Sequence, residues 1–89
     1  MYYVYFLLSK KNGKIYTGYT SQKPAQRLKE HNNGSNQFTR NNGPFVLVYY
    51  ESYICETDAQ EREKFYKSGL GRKMRNAIIA QFPTLVICQ

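Results

Sequence analysis

The chain has 89 residues, so we expect one small domain spanning residues 1–89 and no room for a second module. Thirteen Lys and Arg face six Asp and Glu, giving a formal net charge of +7, and 42% of the residues are hydrophobic, which excludes the disordered class. The excess positive charge predicts a polyanionic partner, most simply nucleic acid; the alternative is a basic protein without such a partner.

The cysteines and the apolar runs exclude two further classes. Cys55 and Cys88 do not have the spacing of metal ligands, and with a single His in the chain they do not make a usual zinc site. We expect both to be small buried side chains in a reducing compartment. No apolar run reaches the roughly 18–20 residues of a membrane span, and residues 2–8 lack a basic leader. The sequence therefore predicts a cytoplasmic protein without a membrane partner.

The first two predicted elements are strands joined by a hairpin. Tyr2 to Ser9 is rich in aromatic and aliphatic residues and is too short for a helix, and Lys14 to Thr20 is the return strand. Asn12-Gly13 between them is typical of a two-residue type I′ turn, in which both central residues need a positive φ.

The register of this hairpin stays open. A turn at Asn12-Gly13 pairs Tyr5 with Thr20, a turn at Lys10-Lys11 pairs Tyr5 with Tyr16, and a longer loop gives a register between these. All three registers keep the two tyrosines on one face of the sheet, because side chains alternate along a strand.

A helix is predicted next, from about Pro24 to Asn33. Gly34 follows as a natural C-terminal cap residue. The side chains expected to face inward are Ala25, Leu28 and Asn32. Arg27 and His31 lie four residues apart and are therefore predicted one turn apart on a neighbouring face.

The rest of the chain alternates between loop, strand and helix. Residues 34–44 are polar and predict a loop, and residues 45–53 predict a third strand. Helices are predicted over about residues 58–67 and 72–81, and residues 84–88 predict an extended apolar tail. The apolar side of the last helix is expected to consist of Met74, Ala77, Ile78 and Ala80. The order β-β-α-β-α-α predicts an α+β fold with a small three-stranded antiparallel sheet flanked by helices.

Several motifs carry a family resemblance. Tyr3-Val4-Tyr5 lies on the first strand and Tyr16-Thr17-Gly18 on the second, with the Arg27–His31 pair in the next helix and Glu63 in the helix after the third strand. In this order and at these spacings they resemble the GIY-YIG nuclease domain, in particular its small single-domain bacterial members. The resemblance covers most of the chain and extends to Thr39-Arg40, Gly43-Pro44 and residues 59–67. Two positions depart from the tripeptides: Tyr3 replaces a Gly and Thr17 an Ile.

The resemblance implies a metal-dependent endonuclease that hydrolyses phosphodiester bonds. It implies Mg²⁺ (or Mn²⁺) held by one glutamate, which corresponds to Glu63, and it places Tyr5, Tyr16, Arg27 and His31 in the catalytic site. DNA is the expected partner, cut according to structure or damage, because nothing in the sequence reads bases. Many family enzymes carry a separate DNA-binding domain, so a recruiting protein is a further expected partner. A non-catalytic module that binds nucleic acid or protein on the same fold is the alternative.

Each role has a plain alternative. One carboxylate can hold Mg²⁺ when water and phosphate complete the octahedron, but Glu63 also has the spacing to pair with Lys67 on a helix surface. Glu61 is a competing carboxylate on another helical face. Arg27 would clamp a phosphate with its planar guanidinium. The sequence leaves open whether Tyr16 or His31 accepts the proton of the attacking water.

A second set of residues is expected to contact the nucleic-acid backbone without choosing a sequence. This set is Phe38, Arg40, Lys67, Arg72, Lys73 and Arg75. Ordinary solubilising charge is the alternative reading of its cations. The sequence leaves the oligomeric state, and DNA against RNA, undecided.

Overall fold

A computed structural model describes residues 1–34 and 36–81, and the predicted tail over residues 84–88 lies outside this part of the chain. The elements in order are β1 (Tyr2–Ser9), β2 (Ile15–Thr20), α1 (Pro24–Asn32), α2 (Gln37–Asn42), β3 (Phe45–Tyr53), α3 (Glu56–Lys67) and α4 (Gly69–Ala80). The three strands form an antiparallel sheet in the order β2-β1-β3. The predicted α+β class and three-stranded sheet with helices are confirmed.

The central strand β1 is buried on both faces. Val4, Tyr5, Phe6 and Leu7 are each at most 1% exposed. Val4 and Phe6 point into a core built with α3, while Tyr5 and Leu7 point into a second core built with Phe45 of β3. Helices therefore cover both faces of this strand, which explains why its sequence is a continuous apolar run instead of an alternating one.

The hairpin between β1 and β2 has a four-residue loop. The amide of Ser9 donates to the carbonyl of Lys14 at 2.9 Å, which closes the loop over the four residues between them. Gly13 has a φ of 75°, whereas Asn12 does not take a positive φ. The type I′ turn predicted at Asn12-Gly13 is therefore wrong, and the register is the intermediate one that a longer loop gives.

A short helix, α2, lies where the sequence predicted only a loop over residues 34–44. The side chain of Asn36 accepts a hydrogen bond from the amide of Thr39 at 2.9 Å and so caps the first turn. The ring of Phe38 packs 5.7 Å from the ring of Tyr16, measured between centroids. The cap and this tertiary contact together stabilise a helix in a polar segment.

The buried face of α1 differs from the predicted one. Pro24 and His31 are its buried residues, and Leu28 packs half-buried against the core. Ala25, which was expected to face inward, is exposed. Asn32 is also exposed, but its side chain faces β3 as expected: its Nδ2 donates to the carbonyl of Phe45 at 3.2 Å and its Oδ1 accepts from the amide of Phe45 at 2.8 Å. The helix is therefore rotated so that a histidine, not an alanine, faces the sheet.

Helix α4 starts three residues before the predicted position because of Ser68. This residue separates α3 from α4, and its hydroxyl accepts a hydrogen bond from the amide of Gly71 at 3.1 Å. Gly71 lies directly against the end of α3, where an added Cβ would overlap the carbonyl oxygen of Phe65. A glycine is therefore required for the two helices to approach this closely.

The apolar side of α4 was only partly predicted. Ile78 packs half-buried against the core as expected, together with Ile79. Met74 is 44% exposed, and Ala77 and Ala80 are also exposed. The predicted apolar face is therefore wrong at these three residues, because the helix contacts the core mainly near its C-terminal end.

A carboxylate that is only 15% exposed connects β3 with α3. One oxygen of Glu51 accepts hydrogen bonds from the hydroxyls of Tyr49 at 2.7 Å and Tyr66 at 2.5 Å; the other accepts from Tyr53 at 2.7 Å and from Arg62 at 3.2 Å. Burial raises the pKa of this carboxyl, but the four hydrogen bonds outweigh burial and lower it below its ordinary value. Glu51 therefore stays ionised and stabilises the packing of α3 on the sheet.

Two sequence expectations concern features outside the core. Cys55 precedes α3 and is exposed, so the expectation of a buried thiol is wrong for this residue. Cys88 lies outside the described residues. None of the helices in the described ranges is long and apolar enough to cross a membrane.

Candidate active site

Tyr5 and Tyr16 lie on the same face of the hairpin. Tyr5 is paired with Gly18 and Tyr16 with Leu7, and the two tyrosine rings are 6.3 Å apart between centroids. A Cβ added to Gly18 would lie 2.6 Å from the Tyr5 hydroxyl and 3.0 Å from a ring carbon of Tyr16. The missing side chain of Gly18 therefore makes room for both rings over β2.

His31 of α1 is completely buried against this pair. Its Nε2 is 2.9 Å from the hydroxyl of Tyr5, its Nδ1 is 3.2 Å from Oγ1 of Thr39, and its ring lies 4.7 Å from the ring of Tyr16. Burial, and then the charge of Arg27, lower the pKa of His31 to about 4. The imidazole is therefore neutral at pH 7, with one nitrogen protonated.

The hydrogen bonds of Asn36 determine which nitrogen of His31 carries the proton. Oδ1 of Asn36 accepts from the amide of Thr39, and Oγ1 of Thr39 lies 3.0 Å from the same oxygen. The amide oxygen of Asn36 can only accept, and it is the nearest acceptor to the Thr39 hydroxyl, since the carbonyl of Asn36 and Nδ1 of His31 both lie 3.2 Å away. We therefore assign the Thr39 proton to Asn36 and infer that Nδ1–H of His31 donates to Thr39. Nε2 is then unprotonated and accepts from the Tyr5 hydroxyl. The amide nitrogen of Asn36 lies 3.5 Å from Nδ1 of His31 and 3.4 Å from the hydroxyl of Tyr16.

The hydroxyl of Tyr5 is influenced by charges from two helices. Burial raises its pKa most, Tyr16 raises it further, and the charge and hydrogen bonding of Arg27 oppose these effects. The negative charge of Glu63 on α3 also raises it. Arg27 and Glu63 therefore both lie within electrostatic range of one hydroxyl, which remains a neutral donor at pH 7.

Arg27 is a permanently charged group at the edge of the site. Its Nη1 lies 2.6 Å from Oε1 of Glu30, and its side chain is 27% exposed. Burial alone would lower the pKa of Arg27, but its hydrogen bond to Glu30 and the proximity of Tyr5 raise it above its ordinary value. Only one of the guanidinium nitrogens is used by Glu30, so other N–H donors can bind an anion.

Glu63 forms the ion pair that the sequence offered as its alternative role. Its Oε2 lies 3.3 Å from Nζ of Lys67, one helical turn away, and the two side chains are 22% and 53% exposed. Such exposed pairs contribute at most about 1 kcal/mol, so an ion could displace the lysine. Residues 1–34 and 36–81 contain no group of three or more His, Cys, Asp or Glu side chains placed to hold a metal. An ion at Glu63 would therefore have one protein ligand, which Mg²⁺ tolerates when water and phosphate oxygens complete its shell.

The structure divides the residues predicted to contact the nucleic-acid backbone. Phe38, Arg72 and Arg75 line two adjoining cavities of about 680 and 330 Å³ beside β2, and Lys67 lines the smaller one. The structure places the other two predicted contacts elsewhere: Arg40 lines a separate cavity with Gly34, and Lys73 is exposed on α4 and lines neither of the two beside β2.

Three residues of the site were not singled out by sequence reasoning. Thr39 and Asn36 fix the protonation of His31, and Gly18 makes room for the tyrosine rings. An Asn three residues before a Thr is a helix-cap pattern and could have indicated the first two. Gly18 belongs to the second tripeptide, but only the register reveals what lies above it.

Tyr5, Tyr16 and His31 are in direct contact, and Arg27 lies one helical turn from His31. Glu63 lines a separate cavity with Tyr19, Gln60, Glu61 and Lys64. A sequence model of the GIY-YIG catalytic domain matches residues 1–76 of the chain. The chain therefore belongs to the GIY-YIG family, and the resemblance predicted from the motifs is confirmed.

Curated relatives of the chain are UPF0213 proteins. The chain is 43% identical to one from Clostridium perfringens over 75% of its own length and 71% of the relative. It is 33% identical to one from Bacillus licheniformis over 86% of the chain and 78% of the relative. It is 34% identical to one from Halobacterium salinarum over 88% of the chain and 99% of the relative. No solved structure matches the chain.

Proposed function

We propose that the chain is a metal-dependent endonuclease that hydrolyses phosphodiester bonds in DNA, at sites selected by structure or damage and not by sequence. Membership of a nuclease-type family and the net charge of +7 support a nucleic-acid substrate. The observation that carries the proposal is the direct contact of Tyr5, Tyr16 and the buried His31, with Arg27 one helical turn from His31 on α1.

The burial of His31 supports Tyr16 as the residue that meets the attacking water. His31 has no exposed atoms and directs its free nitrogen toward Tyr5, so it positions Tyr5 and does not contact substrate. Tyr16 is half-buried, lines the smaller cavity beside β2, and so can reach a bound phosphodiester. In this proposal Tyr16, as the phenolate, orients the water and accepts its proton to become the phenol, while Arg27 binds the phosphate that is attacked.

Glu63 would hold the metal ion, Mg²⁺ or Mn²⁺. A bound divalent ion offsets the negative charge that develops on the phosphoryl oxygens and the leaving group. The carboxylate of Glu63 is 22% exposed and paired, within residues 1–34 and 36–81, only with the exposed Lys67, so an ion can reach it; this supports the assignment. Lys67 would leave Glu63 when the ion binds.

Affinity would come from cations that contact phosphates. Lys67, Arg72 and Arg75 lie on helix surfaces, and long cationic side chains in this position contact the backbone of DNA without reading base edges. In this proposal the protein acts in the cytoplasm, and a recruiting protein partner supplies the targeting that such contacts lack.

A nuclease assay with matched variants tests this proposal. Purified protein is incubated with branched and single-stranded DNA and Mg²⁺ or Mn²⁺, beside E63A and E61A, which each remove one carboxylate from α3. We expect E63A to slow cleavage by about 100-fold or more, because a metal ligand is lost, and E61A to retain it. Cleavage that persists in E63A would show that Glu63 is not the ligand.

A non-catalytic DNA-binding module is the second candidate function. The ion pair between Glu63 and Lys67 favours it, because it neutralises the one carboxylate proposed to hold a metal. This candidate predicts DNA binding that weakens steeply with salt, and no cleavage with any divalent ion.

A further inference from the structure

The two adjoining cavities beside β2 form one continuous groove. Both are lined by Ile15 of β2, Phe38 of α2, and Arg72 and Arg75 of α4, and their volumes are about 680 and 330 Å³. We call this the β2–α4 groove. Tyr16 also lines its smaller part, so the groove leads directly to the proposed catalytic residues.

The groove holds two arginines that have no anionic partner among the residues that the structure describes. Arg72 and Arg75 are one helical turn apart, and α4 contains no acidic residue. Across residues 1–34 and 36–81 neither forms an ion pair, and Arg75 donates only to the neighbouring Asn76, at 3.1 and 3.3 Å. Burial and the charge of Arg72 both lower the pKa of Arg75. A bound anion would relieve this repulsion, and Lys14 and Lys67 add charge at the two ends of the groove.

A buried hydroxyl without a partner lies in the wall of the same groove. Thr17 is 4% exposed and lines the smaller cavity. Its Oγ1 is the one buried side-chain oxygen or nitrogen that makes no hydrogen bond in the described part of the chain. Native proteins rarely leave such a group unsatisfied, and a hydroxyl is a common donor to phosphate oxygens.

An exposed aromatic ring completes the groove. Phe38 is 37% exposed, lines both cavities, and lies 5.7 Å from the ring of Tyr16. Aromatic rings beside cations are the platforms on which nucleic-acid bases stack. Bases within a duplex are covered on both faces by their neighbours, so only an unpaired base can stack on this ring.

We propose that the β2–α4 groove binds a single-stranded segment of DNA next to the bond that is cut. Arg72 and Arg75 each hold a phosphate of this segment, Thr17 donates to one of these phosphates, and Phe38 stacks on an unpaired base. This inference rests on the proposed function and deepens it, because it makes an unpaired strand the structural feature that the enzyme selects.

Binding measured without cleavage tests the phosphate contacts. Fluorescence anisotropy follows a labelled 12-nucleotide oligothymidylate and a hairpin duplex in EDTA, so that no metal-dependent cutting occurs. The R72Q/R75Q variant should bind the single strand about tenfold or more weakly and lower the salt slope by about 1.4, which is 0.7 for each lost phosphate contact. The control K10Q/K29Q removes two exposed charges outside the groove and should change affinity by less than about twofold.

The stacking contact is tested on the same two ligands. F38A should weaken binding of the single strand by about tenfold and leave the duplex nearly unchanged, while F38Y, which keeps the ring and the packing, should bind as wild type. Equal losses for both ligands, equal losses in K10Q/K29Q, or no binding of the single strand by wild-type protein would overturn the inference.

The inference and the proposed function can fail separately. Single-strand binding that depends on the groove, with no cleavage under any divalent ion, would leave the inference standing and remove the nuclease. Cleavage that is lost in E63A, with unchanged binding in R72Q/R75Q and F38A, would support the nuclease and remove the groove.

Discussion

The titration of His31 should make the stability of the fold strongly dependent on pH. Its pKa is about 4 in the folded protein, against an ordinary value of 6.5 in an unfolded chain. The unfolded chain therefore binds more protons between these values, and stability falls as the pH falls from about 6.5 toward 4. At pH 5 the difference amounts to about 2 kcal/mol, from 1.36 kcal/mol for each pKa unit and nearly full protonation of the unfolded histidine.

The pH window isolates His31 from the nearby carboxyls. A hydrogen bond from Arg27 lowers the pKa of Glu30. Burial raises the pKa of Glu51, but its hydrogen bonds outweigh burial and lower the pKa below its ordinary value. Both therefore stay ionised at pH 5. Urea unfolding at pH 7.5 and pH 5.0 should show a loss of about 2 kcal/mol, and the melting temperature should fall on the order of 10 °C. H31Q should be less stable at pH 7.5 but should lose less between the two pH values.

A direct measurement guards against a variant that does not fold. The chain contains one histidine, so its imidazole signals in an NMR titration of the wild-type protein belong to His31. We expect a midpoint near pH 4, or acid unfolding before one is reached. A midpoint between pH 6 and 7, or equal stability at pH 5.0 and 7.5, would refute the argument from burial.

Three further substitutions test contacts described above. T39V removes the hydroxyl that accepts from Nδ1–H of His31, so ¹⁵N NMR should show the imidazole switch from the Nδ1–H to the Nε2–H form. T39S keeps the hydroxyl and should keep the Nδ1–H form. An Nε2–H form in the wild-type protein would contradict the assignment. G71A should lower the free energy of unfolding by at least about 2 kcal/mol, because the added methyl group would overlap α3. In G69A the added methyl group points into open space, so this control should raise the free energy of unfolding by up to about 1 kcal/mol. Equal stabilities of the two variants would contradict the close helix packing. E51Q should cost about 2 kcal/mol in urea unfolding, and no loss would show that its phenol contacts do not stabilise the fold.

The strands could be predicted because their signals are local. The observed bounds of β1 and β3 agree with those predicted from the sequence. Both segments are runs of eight or nine mainly aromatic and aliphatic residues, a composition typical of strands and a length too short for most helices. Gly34 follows the end of α1 and has a φ of 84°. The end of this helix could be predicted because glycine is the usual residue at this left-handed position. Helix α2 could not be predicted in this way, because Phe38 stabilises it through a contact with Tyr16 twenty-two residues earlier.

The candidate site shows the same division. That Tyr5 and Tyr16 share a face follows from the two-residue period of a strand in all three registers considered from the sequence. The burial of His31 does not follow from any local pattern, because a histidine on a helix is buried only if partners satisfy both nitrogens. Those partners are Tyr5 and Thr39, which come from other elements, and only the assembled fold shows that they meet.

The position of Tyr5 has a practical consequence for experiments that need an inactive form of the protein. This side chain belongs to the interior of the molecule as well as to the candidate site, so replacing it would weaken the fold and confuse loss of chemistry with loss of structure. Glu63 lies at the surface of α3 and has one exposed partner, so its replacement should leave the architecture intact. A complex with the proposed DNA substrate is therefore best sought with a substitution on this helix.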